Sequence, residues 1–407
     1  MLHYFNPGSE EAVLNASPYY TLPANPAKMQ QDLAYLPAWY ANENDFVLCE
    51  NPLDNDFLNT SKRLRKIPEN IVKEEISQRQ NLLKGEEVSL WGLSPQSIHL
   101  FEQLNKKHDL DLNIPLWNDE YRSLISRNTA SKCLSDLLDK NPELSQELLP
   151  EFFSEINPIE NKLSEKNYPM LIKAPYSSSG RGLLWVQHPM DRSSRQILQG
   201  LLKKQPCVSL EKALDKQLDF AMLFHSNSDG NVDFRGYSLF QTDNKGNYKG
   251  NFVGSQEEIK AVLFESIDEA LFEKVKKQLI DYFSRKEISG IYKGCICVDM
   301  MLYKEDDKIC LHPCVEINFR HTMGWLAMEL YKNYFQENTS GFFQIEFRKN
   351  AAELYEKHLQ MMCSDPLIAE NGKYVSGYLP LCPVTANTNF SAFVISVPVP
   401  VSVPRSQ

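Results

Sequence analysis

The pattern of apolar segments changes once along the chain, and this change constrains the fold more than any other feature. In the first 110 residues, short apolar segments such as Phe46–Cys49 and residues 88–93 alternate with helical patterns. Two of these predicted helices are residues 68–83 and the segment that Ser94-Pro95 begins. Strands separated by helices favour a parallel sheet. From Pro169 onwards, short polar turns join neighbouring strands, which is typical of hairpins. We therefore predict an α/β chain, α+β in part, that begins with a parallel α/β domain.

Two segments in the middle of the chain carry specific expectations. Residues 141–166 are polar and acidic and contain Pro142, Pro150 and Pro158, so we expect a connector or a flexible excursion there. Residues 256–285 have apolar side chains at helical spacing, which predicts one long amphipathic helix.

The charge and composition of the chain argue against several classes of partner. The 407 residues include 43 basic and 53 acidic side chains, which gives a formal net charge of −10. Nonspecific binding to nucleic acid needs clustered cations, so we expect no nucleic-acid partner. No apolar segment reaches the roughly 18 residues that cross a bilayer, and the start of the sequence lacks a signal-peptide pattern. Nine sparse cysteines favour reduced thiols, and we expect a cytoplasmic protein with no membrane partner.

The strongest chemical signal is the segment Val-Glu-Ile-Asn-Phe-Arg at residues 315–320. Side chains alternate along a strand, so Glu316, Asn318 and Arg320 are expected on one face. The other strand of the predicted hairpin supplies Asp299, and Pro313 is expected to interrupt the pairing of the two strands with a bulge. Carboxylate and amide oxygens suit Mg²⁺, and a guanidinium can bind an anion in a fork. A surface hairpin with acidic residues on its wet side is an equally weighted interpretation of this pattern.

A second signal is Lys173, which ends an apolar strand before the small-residue loop 177–182. Backbone N–H groups of such a loop can hold phosphate oxygens, and small side chains permit close approach. A simple Ser/Gly hairpin turn is the commoner origin of this pattern. Neither GxxxxGK[ST] nor GxGxxG occurs, which argues against a P-loop and a Rossmann dinucleotide site.

A third signal is the segment from Val208 to Leu214, which Asp219 follows. A strand that leaves into a short polar link can present backbone groups to a purine edge. A carboxylate some residues further on can hold ribose hydroxyls. Taken alone, an ordinary strand connection is the simpler explanation.

The hairpin around residues 294–318 also contains a cluster of cysteines and a histidine: Cys295, Cys297, Cys310, Cys314 and His312. Zinc needs about four such ligands in a tetrahedron. The cysteine spacings differ from those of a paired CxxC knuckle, so we interpret the cluster as small core residues.

The order of these signals resembles that of the ATP-grasp superfamily over roughly residues 115–335. The resemblance implies that Lys173 contacts α- and β-phosphate oxygens and that Ser177, Ser178, Ser179 and Gly180 belong to the loop that closes over the triphosphate. It implies that Glu211 and the backbone of Leu214 hold adenine, Asp219 holds ribose, and Asp299, Glu316 and Asn318 bind the metal. It implies that Arg320 steadies the transferred phosphoryl group or a substrate carboxylate. A second nucleotide-binding cation is expected where a helix begins, and there Arg127 is the candidate and Lys132 the reserve.

The resemblance implies an ATP-dependent ligase that uses Mg²⁺ or Mn²⁺ to join a small acid to an amine through an acylphosphate. A phosphotransferase acting on a small molecule and a nucleotide-binding protein without turnover are the alternatives. Asp299, Glu316 and Asn318 argue against a nucleotide-binding protein without turnover, because binding adenine alone does not require metal ligands.

The resemblance also predicts four segments. These are a pre-ATP-grasp domain at 1–115, ATP-grasp subdomains at 116–208 and 209–350, and an extension at 351–407 that packs back on the body. A homodimer is the default expectation for oligomeric state.

Overall fold

The computed structural model describes residues 1–64, 67–177 and 182–397. These residues group into two compact units. The first contains Met1–Asn118, Gly250–Ile259 and the chain from Arg320 onwards, and the second contains Asp119–Lys249 and Lys260–Phe319. This grouping by contact differs from the four predicted segments, because the chain after Arg320 groups with the amino-terminal residues. The four segments stay a prediction of domain boundaries.

Strands and helices occur throughout the described residues. In chain order the strands are β1 (Leu2–Tyr4), β2 (Phe46–Cys49), β3 (Glu69–Val72), β4 (Val88–Leu90), β5 (Glu151–Phe153), β6 (Met170–Lys173), β7 (Leu183–Val186), β8 (Val208–Lys212), β9 (Asp215–Ser226), β10 (Val232–Thr242), β11 (Tyr248–Val253), β12 (Gly294–Glu305), β13 (Lys308–Asn318), β14 (Gly341–Phe347), β15 (Ile368–Glu370), β16 (Lys373–Ser376), β17 (Leu379–Pro380) and β18 (Phe390–Ser396). The α-helices are α1 (Ser9–Asn15), α2 (Ala24–Asp32), α3 (Asn55–Ser61), α4 (Gln80–Leu83), α5 (Pro95–His108), α6 (Asp119–Leu124), α7 (Arg127–Lys140), α8 (Ile156–Ser164), α9 (Arg192–Lys204), α10 (Gln256–Phe264), α11 (Glu269–Phe283), α12 (Lys286–Ser289), α13 (Met323–Tyr334) and α14 (Ala351–Ser364). Short 3₁₀ segments lie at Leu36–Trp39, Lys73–Gln78 and Gln146–Leu148. Within the described part of the chain, no helix is both long and apolar enough to span a membrane.

The first unit begins with the predicted parallel sheet, whose strand order is β3-β2-β1-β4. Ser94 caps α5 with a reciprocal capping box, as the Ser-Pro start of that segment predicts. The prediction of a helix over residues 68–83 is wrong, because part of that segment forms β3. Its β-branched residues Ile71 and Val72 are buried, and β3 pairs with β2 as an edge strand.

The rest of the first unit includes antiparallel strands in the order β11-β14-β18-β17. The carboxyl-terminal residues pack against amino-terminal ones, since the Trp39 indole N–H donates to the Leu381 carbonyl at 2.6 Å. The described part of the extension therefore packs back on the body, as predicted.

The second unit contains two antiparallel sheets, the small sheet β5-β8-β6-β7 and the long-stranded sheet β13-β12-β9-β10. One face of the small sheet packs on α8 and α9. Residues 141–166 are not the predicted connector, because they contain β5 and α8, whose Ile159 and Leu163 lie in this core. The predicted long helix at 256–285 is two helices, because the Asp268 carboxylate caps α11 by accepting from the Ala270 N–H at 2.9 Å.

Candidate functional site

The face of the small sheet opposite α8 and α9 carries a buried ion pair. Lys173, at the end of β6, is 6 % exposed, and its ammonium lies 2.5 Å from an Oε of Glu211 on β8. The Ser209 hydroxyl donates to the other Glu211 oxygen at 2.9 Å. Two residues that the sequence placed in separate signals are therefore direct partners.

The charge state of Glu211 depends on its neighbours. Burial acts to raise the pKa of this carboxyl, but the Lys173 ammonium and the Arg127 guanidinium outweigh burial and hold the pKa below its usual range. Glu211 is therefore ionised and neutralises the cation expected to contact phosphate.

Arg127 begins α7, and Ser126 caps the helix by accepting from the Asn128 N–H. The Arg127 guanidinium is buried, donates from Nε to the Ala174 carbonyl at 3.0 Å and lies 2.9 Å from Glu316 Oε2 through Nη2. The backbone N–H of Arg127 also donates to the Pro175 carbonyl at 3.2 Å. Lys132 is exposed on the same helix. Of the two candidate cations, the structure brings Arg127 to the other site residues.

The hairpin β12–β13 brings the three predicted metal ligands onto one face. Asp299 is paired directly with Glu316, and Cys297 with Asn318. Directly opposed residues share a face, as do alternate residues along one strand. The Asn318 amide donates to Asp299 Oδ2 at 3.1 Å.

A bulge interrupts this hairpin. Between the pairs Met301–His312 and Asp299–Glu316, β12 has one residue and β13 has three, with Pro313 first among them. Proline has no N–H for the ladder, which favours an irregularity there. The sequence predicted this bulge.

Arg320 lies beyond the end of β13. The prediction that strand alternation places it on the same face as Glu316 and Asn318 is therefore wrong. Arg320 belongs to the first unit, where its Nε donates to Glu10 at the start of α1 and its Nη1 donates to the His321 carbonyl at 3.0 Å. Its role toward a phosphoryl group or carboxylate stays a prediction.

The predicted ribose and base contacts lie at the start of β9. Asp219 is buried and accepts from the Lys216 ammonium at 2.6 Å and the Thr242 hydroxyl at 2.7 Å. Leu214 lies in the link between β8 and β9, and its carbonyl accepts from the Lys216 N–H at 3.0 Å. Their roles toward a nucleoside also stay predictions.

The predicted phosphate loop is described only at its start. The Ser177 hydroxyl donates to the Ala174 carbonyl at 3.1 Å. Ser178, Ser179 and Gly180 lie outside the described residues.

His312 is a site neighbour to which sequence reasoning gave no functional role. It is 5 % exposed and helps to line a small cavity of about 10 Å³ together with Arg127, Ser209 and Glu211. Such a volume holds about one water molecule. Burial, with a smaller contribution from the Lys173 ammonium, lowers the pKa of His312 from 6.5 to about 4. The alternation of buried residues on β13 was a usable signal, but it could not show which charges this histidine faces.

The donor set on the β12–β13 face fits a hard divalent cation. It offers two carboxylates and one amide oxygen, and Mg²⁺ takes one or two carboxylates together with water and phosphate oxygens. Mn²⁺ accepts the same oxygen ligands. Among the described residues, no three histidine, cysteine, aspartate or glutamate side chains form a metal-binding group. The described residues therefore do not surround a metal ion with protein ligands alone.

Comparison with solved structures identifies the fold. No protein-family model matches the sequence, and no curated protein matches it significantly. Biotin carboxylase from Campylobacter jejuni, in complex with β,γ-ATP, matches with a TM-score of 0.51 and 11 % identity, over 97 % of this chain and 87 % of that chain. N5-carboxyaminoimidazole synthetase from Staphylococcus aureus, complexed with ADP, matches with a TM-score of 0.47 and 13 % identity, over 97 % and 93 %. N5-carboxyaminoimidazole ribonucleotide synthetase from Thermus thermophilus matches with a TM-score of 0.46 and 12 % identity, over 98 % and 94 %.

Of these three matches, the biotin carboxylase has a TM-score above 0.5. Its likeness shows that the chain has the fold of ATP-grasp enzymes, which confirms the predicted fold class. At 11 % identity it shows the fold alone.

Proposed function

We propose that this chain, which has the fold of ATP-grasp enzymes, is an ADP-forming ligase that joins a small carboxylic acid to an amine. One observation carries the proposal. The cations Lys173 and Arg127 and the oxygen ligands Asp299, Glu316 and Asn318 belong to one compact unit, and the 2.9 Å Arg127–Glu316 ion pair connects the two sets. A metal-bound triphosphate requires both kinds of group, cations for its phosphate oxygens and acidic ligands for its metal.

The proposed reaction has two displacement steps. A carboxylate oxygen of the acid attacks the γ-phosphorus of ATP, the bond from that phosphorus to the β–γ bridging oxygen breaks, and ADP leaves. The amine nitrogen then attacks the acyl carbon, phosphate leaves with the electrons of the C–O bond, and the nitrogen loses a proton. No protein nucleophile is needed, because ATP converts a poor leaving group into a good one.

The side chains of this chain have distinct proposed roles. Lys173 and Arg127 bind phosphate oxygens, Glu211 and the Leu214 backbone contact the base, and Asp219 holds the ribose. Asp299, Glu316 and Asn318 would hold Mg²⁺ or Mn²⁺, which when bound neutralises charge on the phosphoryl oxygens. Arg320 is proposed to orient the acid or the moving phosphoryl group.

The comparison supports the nucleotide part of the proposal. The Campylobacter biotin carboxylase of the same fold is a complex with β,γ-ATP. We further propose a cytoplasmic location, a homodimer, and small-molecule rather than macromolecular substrates.

A screen for ADP release tests the function. Purified protein is incubated with ATP, Mg²⁺ and pairs of small acids and amines, and both ADP and the condensed product are measured. Ligase activity requires both substrates for full ADP release. ADP release with a single phosphorylated acceptor would establish a phosphotransferase instead, and nucleotide binding without turnover on any pair would oppose both enzymes.

A further inference from the structure

One tryptophan of the small sheet differs from the well-buried tryptophans of the chain. Trp185 on β7 is 45 % exposed, whereas Trp39, Trp91 and Trp325 are each 9 % exposed or less. Its neighbours Leu184 and Val186 lie in the core with α8 and α9. Because side chains alternate along a strand, Trp185 lies on the opposite face of the sheet.

That opposite face is the one that carries the Lys173–Glu211 pair. Trp185 pairs with Leu171 on β6, and Leu171 pairs in turn with Glu211 on β8. Leu183 pairs with Lys173, which pairs with Ser209. Two rows of side chains therefore cross the sheet, and Trp185 lies in the same row as Glu211. Neighbouring strands are about 4.8 Å apart, so an indole can reach across the intervening Leu171.

The turn that follows β10 contacts the same part of the small sheet. A Cβ atom at Gly246 would lie 2.6 Å from Leu183 Cδ1, so this turn lies close against the residue two positions before Trp185. The carboxyl-terminal residue of β10, Thr242, donates to Asp219. The exposed indole thus lies on the face that the Asp219 end of the long-stranded sheet approaches.

The two rows differ in chemistry. The Lys173 row lies at the end of β6, next to the start of the small-residue loop, and offers an ammonium to phosphate oxygens. The Trp185 row lies further from that loop and offers an apolar ring in the row that also contains Glu211, with Leu171 between them. An exposed indole is a large flat apolar surface, which is what the face of a nucleobase binds.

We propose that Trp185 stacks on the base of the bound nucleotide and gives the site its preference for a nucleotide over a bare polyphosphate. This inference rests on the proposed nucleotide site and adds a specificity residue to it. Stacking on an aromatic side chain is tolerant of base identity, so Trp185 selects for the presence of a base while the polar groups at Glu211 and Leu214 select its type.

Isothermal titration with Mg²⁺ tests the role of Trp185. We expect Trp185→Ala to raise the Kd of ADP about tenfold, while Trp185→Phe, which keeps a stacking ring, changes it by no more than about threefold. Inorganic tripolyphosphate has no base, so its affinity, or its lack of binding, should be the same in the wild type and in Trp185→Ala.

Tryptophan fluorescence gives a second readout. ADP should change the emission of the wild type and of the matched control Trp117→Phe, but should leave the emission of Trp185→Phe unchanged. Circular dichroism confirms that each variant is folded, which an exposed position on an edge strand should permit.

The outcomes separate the two proposals. Unchanged ADP affinity in Trp185→Ala, or an equal weakening of ADP and tripolyphosphate, would overturn the role of Trp185 and leave the nucleotide site intact. Absence of ADP binding to the wild-type protein would overturn the proposed function itself.

Discussion

The two sheets of the second unit handle charge in different ways. On the small sheet, the Lys173 ammonium and its partner Glu211 are both well buried, and each neutralises the other. On the long-stranded sheet, Asp299 and Asn318 share a hydrogen bond, and the Glu316 side chain keeps 23 % of its surface exposed. A buried charge that loses its partner is costly, whereas a partly hydrated one is not. Removal of one partner of the Lys173–Glu211 pair should therefore lower stability, whereas removal of a metal-ligand candidate on the long-stranded sheet should mainly lower activity.

The largest expected effect follows from breaking the buried pair. Lys173→Met leaves the Glu211 carboxylate buried without its cation, and we expect the free energy of unfolding to fall by about 3–5 kcal/mol. Urea denaturation followed by circular dichroism measures the change.

A double variant sharpens this test. Lys173→Met combined with Glu211→Leu removes both charges, so most of the lost stability should return. Neither variant should bind ADP, because both lack the ammonium proposed to bind phosphate oxygens. If the free energy of unfolding is equally low in the single and double variants, the unpaired Glu211 carboxylate is not the cause of the lost stability.

The next effect should appear mainly in catalysis. Glu316→Gln keeps an acceptor for Arg127 but removes the negative charge, and Asn318→Ala removes the amide oxygen. Loss of a metal ligand should lower ADP release at least about a hundredfold, or about 2.7 kcal/mol. The urea midpoint should fall less than in Lys173→Met, because glutamine still accepts from the buried Arg127 guanidinium.

The exposed Glu265 provides a matched control in the same unit. Glu265→Ala should retain full ADP release. Wild-type rates in both Glu316→Gln and Asn318→Ala would reject the metal assignment.

A third effect concerns acid stability at the boundary of the two sheets. Because burial lowers the pKa of His312 from 6.5 to about 4, the unfolded chain binds more protons than the folded chain between these pH values. The free energy of unfolding should therefore fall as the pH is lowered through this window, by about 2 kcal/mol from pH 7 to pH 5.

His312→Gln isolates that contribution. Urea midpoints measured from pH 7 to pH 5 should depend less on pH in this variant than in the wild type. Identical slopes in the two proteins would mean that other groups cause the acid sensitivity.

The smallest effect compares the two cations of α7. Lys132 is exposed, so Lys132→Ala should change stability by about 0.5 kcal/mol or less and leave ADP affinity unchanged. Arg127→Met should weaken ADP binding in the same titration. Weaker binding in Lys132→Ala and not in Arg127→Met would reverse the assignment of the second cation.

The sequence was informative where a single strand or hairpin decided the arrangement. Alternation on β13 predicted the shared face of Glu316 and Asn318, and Pro313 predicted the bulge. The cap at Ser94 and the apolar residues Phe46–Cys49 predicted the start of α5 and the whole of β2.

The remaining features depend on contacts distant in sequence. The helix predicted at 68–83 was wrong because pairing with β2 overrode a helical pattern over Ile71 and Val72. No local pattern could show that Glu211 pairs with Lys173 or that Glu316 pairs with Arg127, which lies 189 residues away. Strand alternation predicted that Arg320 continues β13, but Arg320 lies beyond the strand and pairs with Glu10, 310 residues away.

Because of the bulge at Pro313, the number of residues in this part of β13 decides which face its later side chains occupy. At the bulge, β13 has two more residues than β12. Because two is an even number, alternate side chains of β13 lie on the same face of the sheet before and after the bulge. Loss of one residue there would rotate Glu316 and Asn318 away from Asp299, whereas loss of two would restore their facing. Evolution should therefore tolerate insertions and deletions of an even number of residues in this hairpin better than those of an odd number, whatever their size.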